Sequence, residues 1–108
     1  MTPREYFEKT IPETLTKNAD KVGAINSKYK FVIAGDGGGT WVVDLTAKPP
    51  KCTEGEGDAN CTVEVGSADF TQIIDGKLNS QMAFMSGKLK IKGDMGLAMK
   101  LGQIIGAK

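Results

Sequence analysis

The chain contains no histidine. That absence removes every catalytic triad built on an imidazole, the common zinc sites and the usual general base near neutral pH. Cysteine is scarce, with Cys52 and Cys61 alone, so a disulfide-dense scaffold is excluded. Aromatic residues make up only 6%. No run approaches the roughly 18 apolar residues of a membrane-spanning helix. An excess of one charge is also missing: 14 Lys+Arg face 13 Asp+Glu, for a net charge of +1. A dedicated nucleic-acid binder needs a basic face to neutralise phosphates, so nucleic acid is not an expected partner. Met1 to Lys9 is polar and charged, and no signal peptide is expected there.

What is present fits one domain over residues 1–108. The composition, 40% apolar and 25% charged, suits one hydrophobic core with a solvated surface. Glycine is abundant at 14 residues, about twice the usual share. The two cysteines lie nine residues apart around a glycine-rich loop. A hairpin there would let them face each other, but we read them as free thiols in a reducing compartment.

Thr2-Pro3-Arg4-Glu5 offers a capping box with proline at the first helical position. Phe7, Ile11 and Leu15 recur as one helix face should. Pro12 lacks an amide hydrogen and clashes with the preceding turn. The pattern therefore predicts helix, kink, helix, with Thr10 to Glu13 as a second capping box and an end near Asp20. Ser27 to Ile33 then alternates, with Tyr29, Phe31 and Ile33 on one face. Gly35 to Gly39 turns the chain, and Thr40 to Leu45 alternates again with Trp41, Val43 and Leu45 aligned. Pro49-Pro50 predicts a turn. A short strand around Cys52 and a turn through Glu56-Gly57-Asp58 lead to a strand with Cys61, Val63 and Val65 inward.

The period then changes. Ser67 is placed to cap a helix carrying Phe70, Ile73 and Ile74, stopped by Gly76. Asn79 or Ser80 caps a short helix carrying Met82, Phe84 and Met85, stopped by Gly87. Lys88 to Lys92 reads as a strand with Leu89 and Ile91 inward. After Gly93, Asp94 caps a last helix. The sum is an α+β fold, one sheet of about five strands with helices over one face.

The candidate chemistry divides into solvated features and one apolar one. Gly35 to Gly39 lacks the Gly-Lys-Ser/Thr and the following helix of a phosphate loop, so a plain turn is expected. Glu54, Glu56, Asp58 and Asn60 alternate like a calcium loop, but Ala59 and Val65 stand where glycine and a bidentate acid belong. A solvated hairpin turn is expected instead. Lys88, Lys90 and Lys92 form a basic stripe that suits a protected sheet edge or an anionic membrane surface. Cys61 faces inward on a strand with no histidine to activate it, so a thiolate nucleophile is not expected. Along the last helix, Met95 to Ile105, apolar residues occupy most of the circumference. Such a helix is buried, faces a membrane or lines an apolar cavity. Methionines 82, 85, 95 and 99 gather nearby, and methionine adapts to irregular apolar shapes. Core packing and a ligand cavity both remain open on these grounds.

The stretch Gly76-Lys77-Leu78-Asn79, then Ala83-Phe84, then Gly87 through Leu101 (GKLKIKGDMGLAMKL) resembles the sterol carrier protein type 2 family. Thr40-Trp41-Val42-Val43-Asp44 and Ala59-Asn60-Cys61-Thr62 resemble its central strands. The likeness implies a five-stranded mixed sheet, covered on one face by helices and enclosing an apolar tunnel. It implies an intracellular, non-catalytic carrier without metal or cofactor. The expected ligands are fatty acids, fatty acyl-CoAs, phospholipids and sterols, with transient membrane contact and a monomeric state. By position, Trp41, Phe84, Met85, Met95, Leu97, Leu101 and Ile105 are the expected tunnel wall, with Phe70, Ile73 and Ile74 as further candidates. Members often carry glutamine directly after Met-Lys-Leu, where it meets a ligand's polar end. Here Gly102 stands at that place and Gln103 follows as the candidate. Many members end on a leucine that addresses them to peroxisomes. This sequence closes on Gly106-Ala107-Lys108, so a peroxisomal address rests on likeness alone and the alternative is cytoplasmic. The competing reading is a protein-interaction module using the apolar C-terminal helix.

Overall fold

The computed structural model describes residues 2–47 and 50–100. The first capping box forms as expected. The Thr2 hydroxyl accepts from the Glu5 amide while the Glu5 carboxylate accepts from the Thr2 amide, starting helix α1 (Pro3–Glu5). The helix then widens into a π segment, Tyr6–Thr10, closed by the Ile11 amide donating to the Tyr6 carbonyl. It tightens again as α2 (Ile11–Lys17) and continues as α3 (Ala19–Gly23). Two expectations are corrected here. Pro12 neither breaks the helix nor restarts it from a cap, because Thr10 is itself helical at φ −75° and ψ −44°. The wide turn opens the backbone just ahead of the pyrrolidine ring and relieves its clash. Nor does the helix end near Asp20; it pauses at Asn18, whose side chain donates to the Thr14 carbonyl, and runs on to Gly23.

Five strands follow: β1 (Lys28–Ala34), β2 (Gly39–Asp44), β3 (Lys51–Glu54), β4 (Cys61–Gly66) and β5 (Leu89–Gly93). Their order is β3-β2-β1-β4-β5. Only β1 and β4 run parallel. The glycine-rich turn joins β1 to β2, with the Gly38 amide on the Gly35 carbonyl and Gly35 and Gly37 at positive φ that other residues rarely adopt. The register aligns Trp41, Phe31, Val63 and Ile91 across four strands, and Cys52, Val43, Tyr29 and Cys61 in the next such row. That is the inner face. The outer face carries Lys30, Thr62 and Lys92 in one row and Glu64 beside Lys90 in another.

The strand at Cys52 and the strand at Cys61 do not form the expected hairpin. Strands β2 and β1 lie between them, so the two cysteines are about 14 Å apart at ordinary strand spacing. Both are free. The chain between them instead crosses the outer face of the sheet. Glu56 pairs with Lys30, and a Cβ on Gly57 would sit 3.2 Å from Val42 Cγ2. This explains why Val42, an outward-facing valine, is only 8% exposed.

Helices α4 (Ser67–Ile74), α5 (Ser80–Met85) and α6 (Met95–Met99) complete the layer on the inner face. The N-cap of α4 is Gly66, not Ser67, which is already helical. Asn79 caps α5 as expected, its side-chain oxygen accepting from the Gln81 and Met82 amides. The inward side chain of α5 is Ala83, while Met82, Phe84 and Met85 face solvent, the reverse of the expected face. Pro49 and the last helix beyond Lys100 lie outside the described residues.

Phe7 is the hub of the core. It stacks on Trp41 at 4.6 Å and on Phe70 at 5.3 Å between ring centroids, and tilts against Phe31 at 5.2 Å. Replacing Phe7 by Ala should cost about 3–5 kcal/mol in chemical denaturation. Phe84→Ala, on the exposed side of α5, should stay within about 0.5 kcal/mol. Equal effects would contradict this assignment of core and surface.

Candidate functional site

The inner face of the sheet falls into two halves of different character. Over β3, β2 and β1 the layer is sealed. Phe7, Trp41, Phe31, Phe70 and Tyr6 pack ring on ring. Arg4 bridges this half from above. Its guanidinium makes a bidentate pair with Glu54 at 3.0 and 2.7 Å and lies 5.7 Å from the centroid of the Trp41 ring. The same guanidinium holds the Glu54 carboxyl below its usual range. Trp41 Nε1 is buried without an acceptor, a cost of about 1–3 kcal/mol set against the stacking that fixes the ring.

Over β4 and β5 the layer is thinner. Helix α5 packs against β5, and α6 against β4 and β5. Cys61, Val63, Val65 and Leu89 on these strands are buried, but at the margin Ile74, Leu78 and Ile91 pack against the core and are only half-buried. Around them stand Phe84 at 40%, Met95 at 51%, Met82 at 65%, Met85 at 78% and Met99 at 86% exposure. These five are the large apolar residues that the described structure leaves in water.

Helix α6 is held by few attachments. Gly93 turns the chain at φ +107°, where a Cβ would stand 2.4 Å from the Asn60 carbonyl oxygen. Asp94 Oδ1 then accepts from the Gly96 amide at 2.8 Å. Leu97 inserts into the core, and its carbonyl accepts from the buried Tyr29 hydroxyl at 2.5 Å. Burial holds the Tyr29 phenol protonated well above its ordinary range, with smaller contributions from Cys61 and Asp94. Burial likewise pushes the Cys52 thiol up to about 12, and raises that of Cys61. Neither sulfur is prepared as a nucleophile, because the thiolate is the reactive form. Among the described residues no three acidic, cysteine or histidine side chains gather as a metal site.

The expected wall residues separate accordingly. Trp41, Phe70, Ile73 and Leu97 are buried, Ile74 is half-buried, and Phe84, Met85 and Met95 lie at the surface of the thin half. Leu101, Gln103 and Ile105 lie outside the described residues. Sequence reasoning missed Tyr29 as part of the site, and Phe7 as the residue that seals the half beside it. Phe7 was legible as a helix face, but its stack on Trp41 was not. No local signal joins Tyr29 to Leu97 across 68 residues.

A mixed five-stranded sheet with helices closing over one oily face defines a small α+β domain of the sterol-carrier type. Residues 7–106 match the SCP-2 sterol transfer family, and the chain belongs to that family. Hydroxysteroid dehydrogenase-like protein 2 of Xenopus laevis is 44% identical over 109 residues, covering 97% of this chain and 25% of the relative. The chain thus spans a quarter of the length of that curated relative. Apo sterol carrier protein 2 of Yarrowia lipolytica superposes with a TM-score of 0.71 at 26% identity, covering 96% of this chain and 84% of that one. Palmitated SCP2L2 of Aedes aegypti gives 0.64 at 29% identity, covering 85% and 91%.

The tether of α6 has a direct test. Tyr29→Phe removes the hydroxyl that reaches Leu97, and a net hydrogen bond of about 1 kcal/mol corresponds to roughly fivefold faster amide exchange across α6. The phenol's raised value means that folding favours its neutral form. Stability is therefore intact below the ordinary tyrosine range and falls as pH rises through and beyond it. Tyr29→Phe should flatten that alkaline loss in thermal melts, and an unchanged alkaline limb would contradict the burial of a protonated phenol.

Proposed function

We propose that this domain is a non-catalytic lipid carrier that takes an apolar chain between the β4–β5 half of the sheet and helices α4, α5 and α6. The observation that carries this reading is the contrast between the halves. One is sealed by aromatic stacking, and the other leaves methionine and phenylalanine in water around the half-buried Ile74, Leu78 and Ile91 at the margin of the core. Large apolar side chains exposed together, on two helices packed at one edge of the sheet, support a binding surface, whereas single exposed ones are ordinary.

In this reading Ile73, Ile74, Leu97 and the sheet row ending at Ile91 form the floor. Phe84, Met85 and Met95 close over the guest. Leu101 and Ile105 extend the wall, Gln103 serves a polar end, and Trp41 with Phe70 bounds the far end. Helix α6 acts as wall and gate, since two hydrogen bonds, from Tyr29 to the Leu97 carbonyl and from the Asp94 amide to the Asn60 carbonyl, with one cap and the buried Leu97 hold its described part. The expected guests are fatty acids, fatty acyl-CoAs, phospholipids and sterols. The palmitated Aedes neighbour supports an acyl chain as one of them. The raised cysteine thiols support the absence of a catalytic step. A monomer that visits a membrane transiently, in a peroxisome by family likeness, completes the proposal.

The energetics suit a carrier. Each buried methylene contributes about 0.8 kcal/mol, so a chain of about 16 carbons gains on the order of 12 kcal/mol. Association and ordering costs offset much of this, leaving micromolar or somewhat tighter binding. A bilayer offers a similar apolar home, so transfer in either direction needs little driving force. Because burial is non-directional, ligand choice is broad and set by length.

Native mass spectrometry of the purified chain should find a monomer with co-purified lipid. A lipid-free dimer would instead favour the protein-interaction reading. Met95→Glu should weaken binding of a fluorescent fatty acid about tenfold or more, since it sets a charge against the hydrocarbon, while leaving the melting temperature in place. Wild-type affinity in the folded variant would overturn the proposed location.

A further inference from the structure

Sulfur is distributed unevenly over the fold. Of the 5 methionines, Met82, Met85, Met95 and Met99 fall between residues 82 and 99. Met82 and Met85 stand one turn apart on α5, and Met95 and Met99 one turn apart on α6, so each pair shares a helix face. Both helices pack against β5, and all four thioethers are exposed at that edge. Other oxidisable side chains are shielded. Trp41, Tyr6, Tyr29 and Cys61 are buried, and Cys52 is half-buried. Burial also raises both thiols, which keeps them from the thiolate form that reacts with peroxide. A thioether needs no deprotonation, because its lone pair is the nucleophile, and access to solvent governs its oxidation.

We propose that Met85 and Met95 are reversible sulfoxidation sites through which a hydroperoxide closes the acyl-chain site to its guest. In each step the sulfur attacks one peroxide oxygen. The S–O bond forms as the O–O bond breaks, and the hydroxyl proton passes to the departing oxygen. Sulfur gives up two electrons to the peroxide, so hydrogen peroxide leaves as one water and methionine ends as its sulfoxide. The product is polar and chiral where the thioether was apolar and pliant. The inference rests on the carrier reading, in which Met85 and Met95 close over hydrocarbon. A sulfoxide there either buries an unpaired oxygen or turns it to water and withdraws from the guest, and both weaken binding. The fold itself is spared, since these side chains stand outside the buried core. Met82 and Met99 are oxidised as well, but they lie outside the proposed wall and carry no such penalty. A guest lying against Met85 and Met95 in turn covers their sulfurs, so binding protects the two that matter.

The test treats the full chain with hydrogen peroxide and removes the excess with catalase. Oxygen uptake at each methionine is read by peptide mass spectrometry, beside the melting temperature and the affinity for a fluorescent fatty acid. Oxidised wild type should keep its melting temperature and bind the probe about tenfold more weakly. Methionine sulfoxide reductases A and B, with dithiothreitol as reductant, should restore the affinity. Palmitate present during treatment should slow oxidation of Met85 and Met95 and leave Met82 and Met99 unprotected. The pair Met85→Leu and Met95→Leu, whatever its starting affinity, should hold that affinity through peroxide. The pair Met82→Leu and Met99→Leu should lose affinity as wild type does. Unchanged affinity in chains carrying sulfoxides at both Met85 and Met95 overturns the proposal. So does a loss that the reductases fail to reverse, one that persists without the Met85 and Met95 sulfurs, or one that comes with a lowered melting temperature. Oxidation of Met85 and Met95 at the same rate with and without palmitate overturns it equally. Failure of the untreated chain to bind the probe sinks the carrier reading and the switch together, whereas binding that ignores the sulfoxides sinks the switch alone.

Discussion

The stacking of Phe7 on Trp41 and Phe70 is the contact on which the rest of the helical layer depends. It fixes where the N-terminal helices cross the sheet, and so which part of the oily face is left for other elements. The π segment makes it possible. Tyr6 and Phe7 are neighbours in sequence and both are buried, the first edge-on to Phe70 and the second flat against Trp41. Arg4 strengthens the arrangement by gripping Glu54 on the edge strand while lying over the indole. With that half closed, adaptable surface is confined to the other half. There α5 contributes only a methyl group inward and α6 only Leu97 among the side chains known to be buried.

Much of the sheet was legible in the sequence because alternation is a local property. Tyr29, Phe31 and Ile33, then Trp41, Val43 and Leu45, then Cys61, Val63 and Val65 face the core as their period requires. Caps were legible for the same reason, at Thr2, Asn79 and Asp94. Pairing between strands was not. The interval from Cys52 to Cys61 has the length and composition of a hairpin, and nothing local says that β4 pairs with β1 instead of β3. Helix α5 misled in a different way. Hydrophobicity favours Met82, Phe84 and Met85 as the inward side, but the helix meets β5 through Ala83. In the candidate site, buried Trp41, Phe70, Ile73 and Leu97 were foreseeable from pattern and likeness, whereas the Tyr29 tether depends on the tertiary arrangement.

The two polar devices on the sheet act at opposite faces. On the inner side Tyr29 satisfies its hydroxyl on the Leu97 carbonyl, so the phenol is buried without an orphaned polar group. On the outer side Lys30 with Glu56, and Lys92 with Glu64, balance charge over a solvated surface. Exposed pairs of this kind add little stability. They keep this face wet, opposite the side that the helices cover.

The crossing segment between β3 and β4 also shapes how the molecule comes together. The meander of β1, β2 and β3 closes through short-range contacts. The parallel partner of β1 arrives only 32 positions further along the chain, as the Tyr29–Cys61 register shows. Loop-closure entropy is therefore spent before that pairing is rewarded, and folding speed falls as such distant contacts accumulate. The central β1–β4 seam is thus a natural bottleneck of assembly, and the bare edge of β1 is the surface most in need of shielding while the chain waits for it.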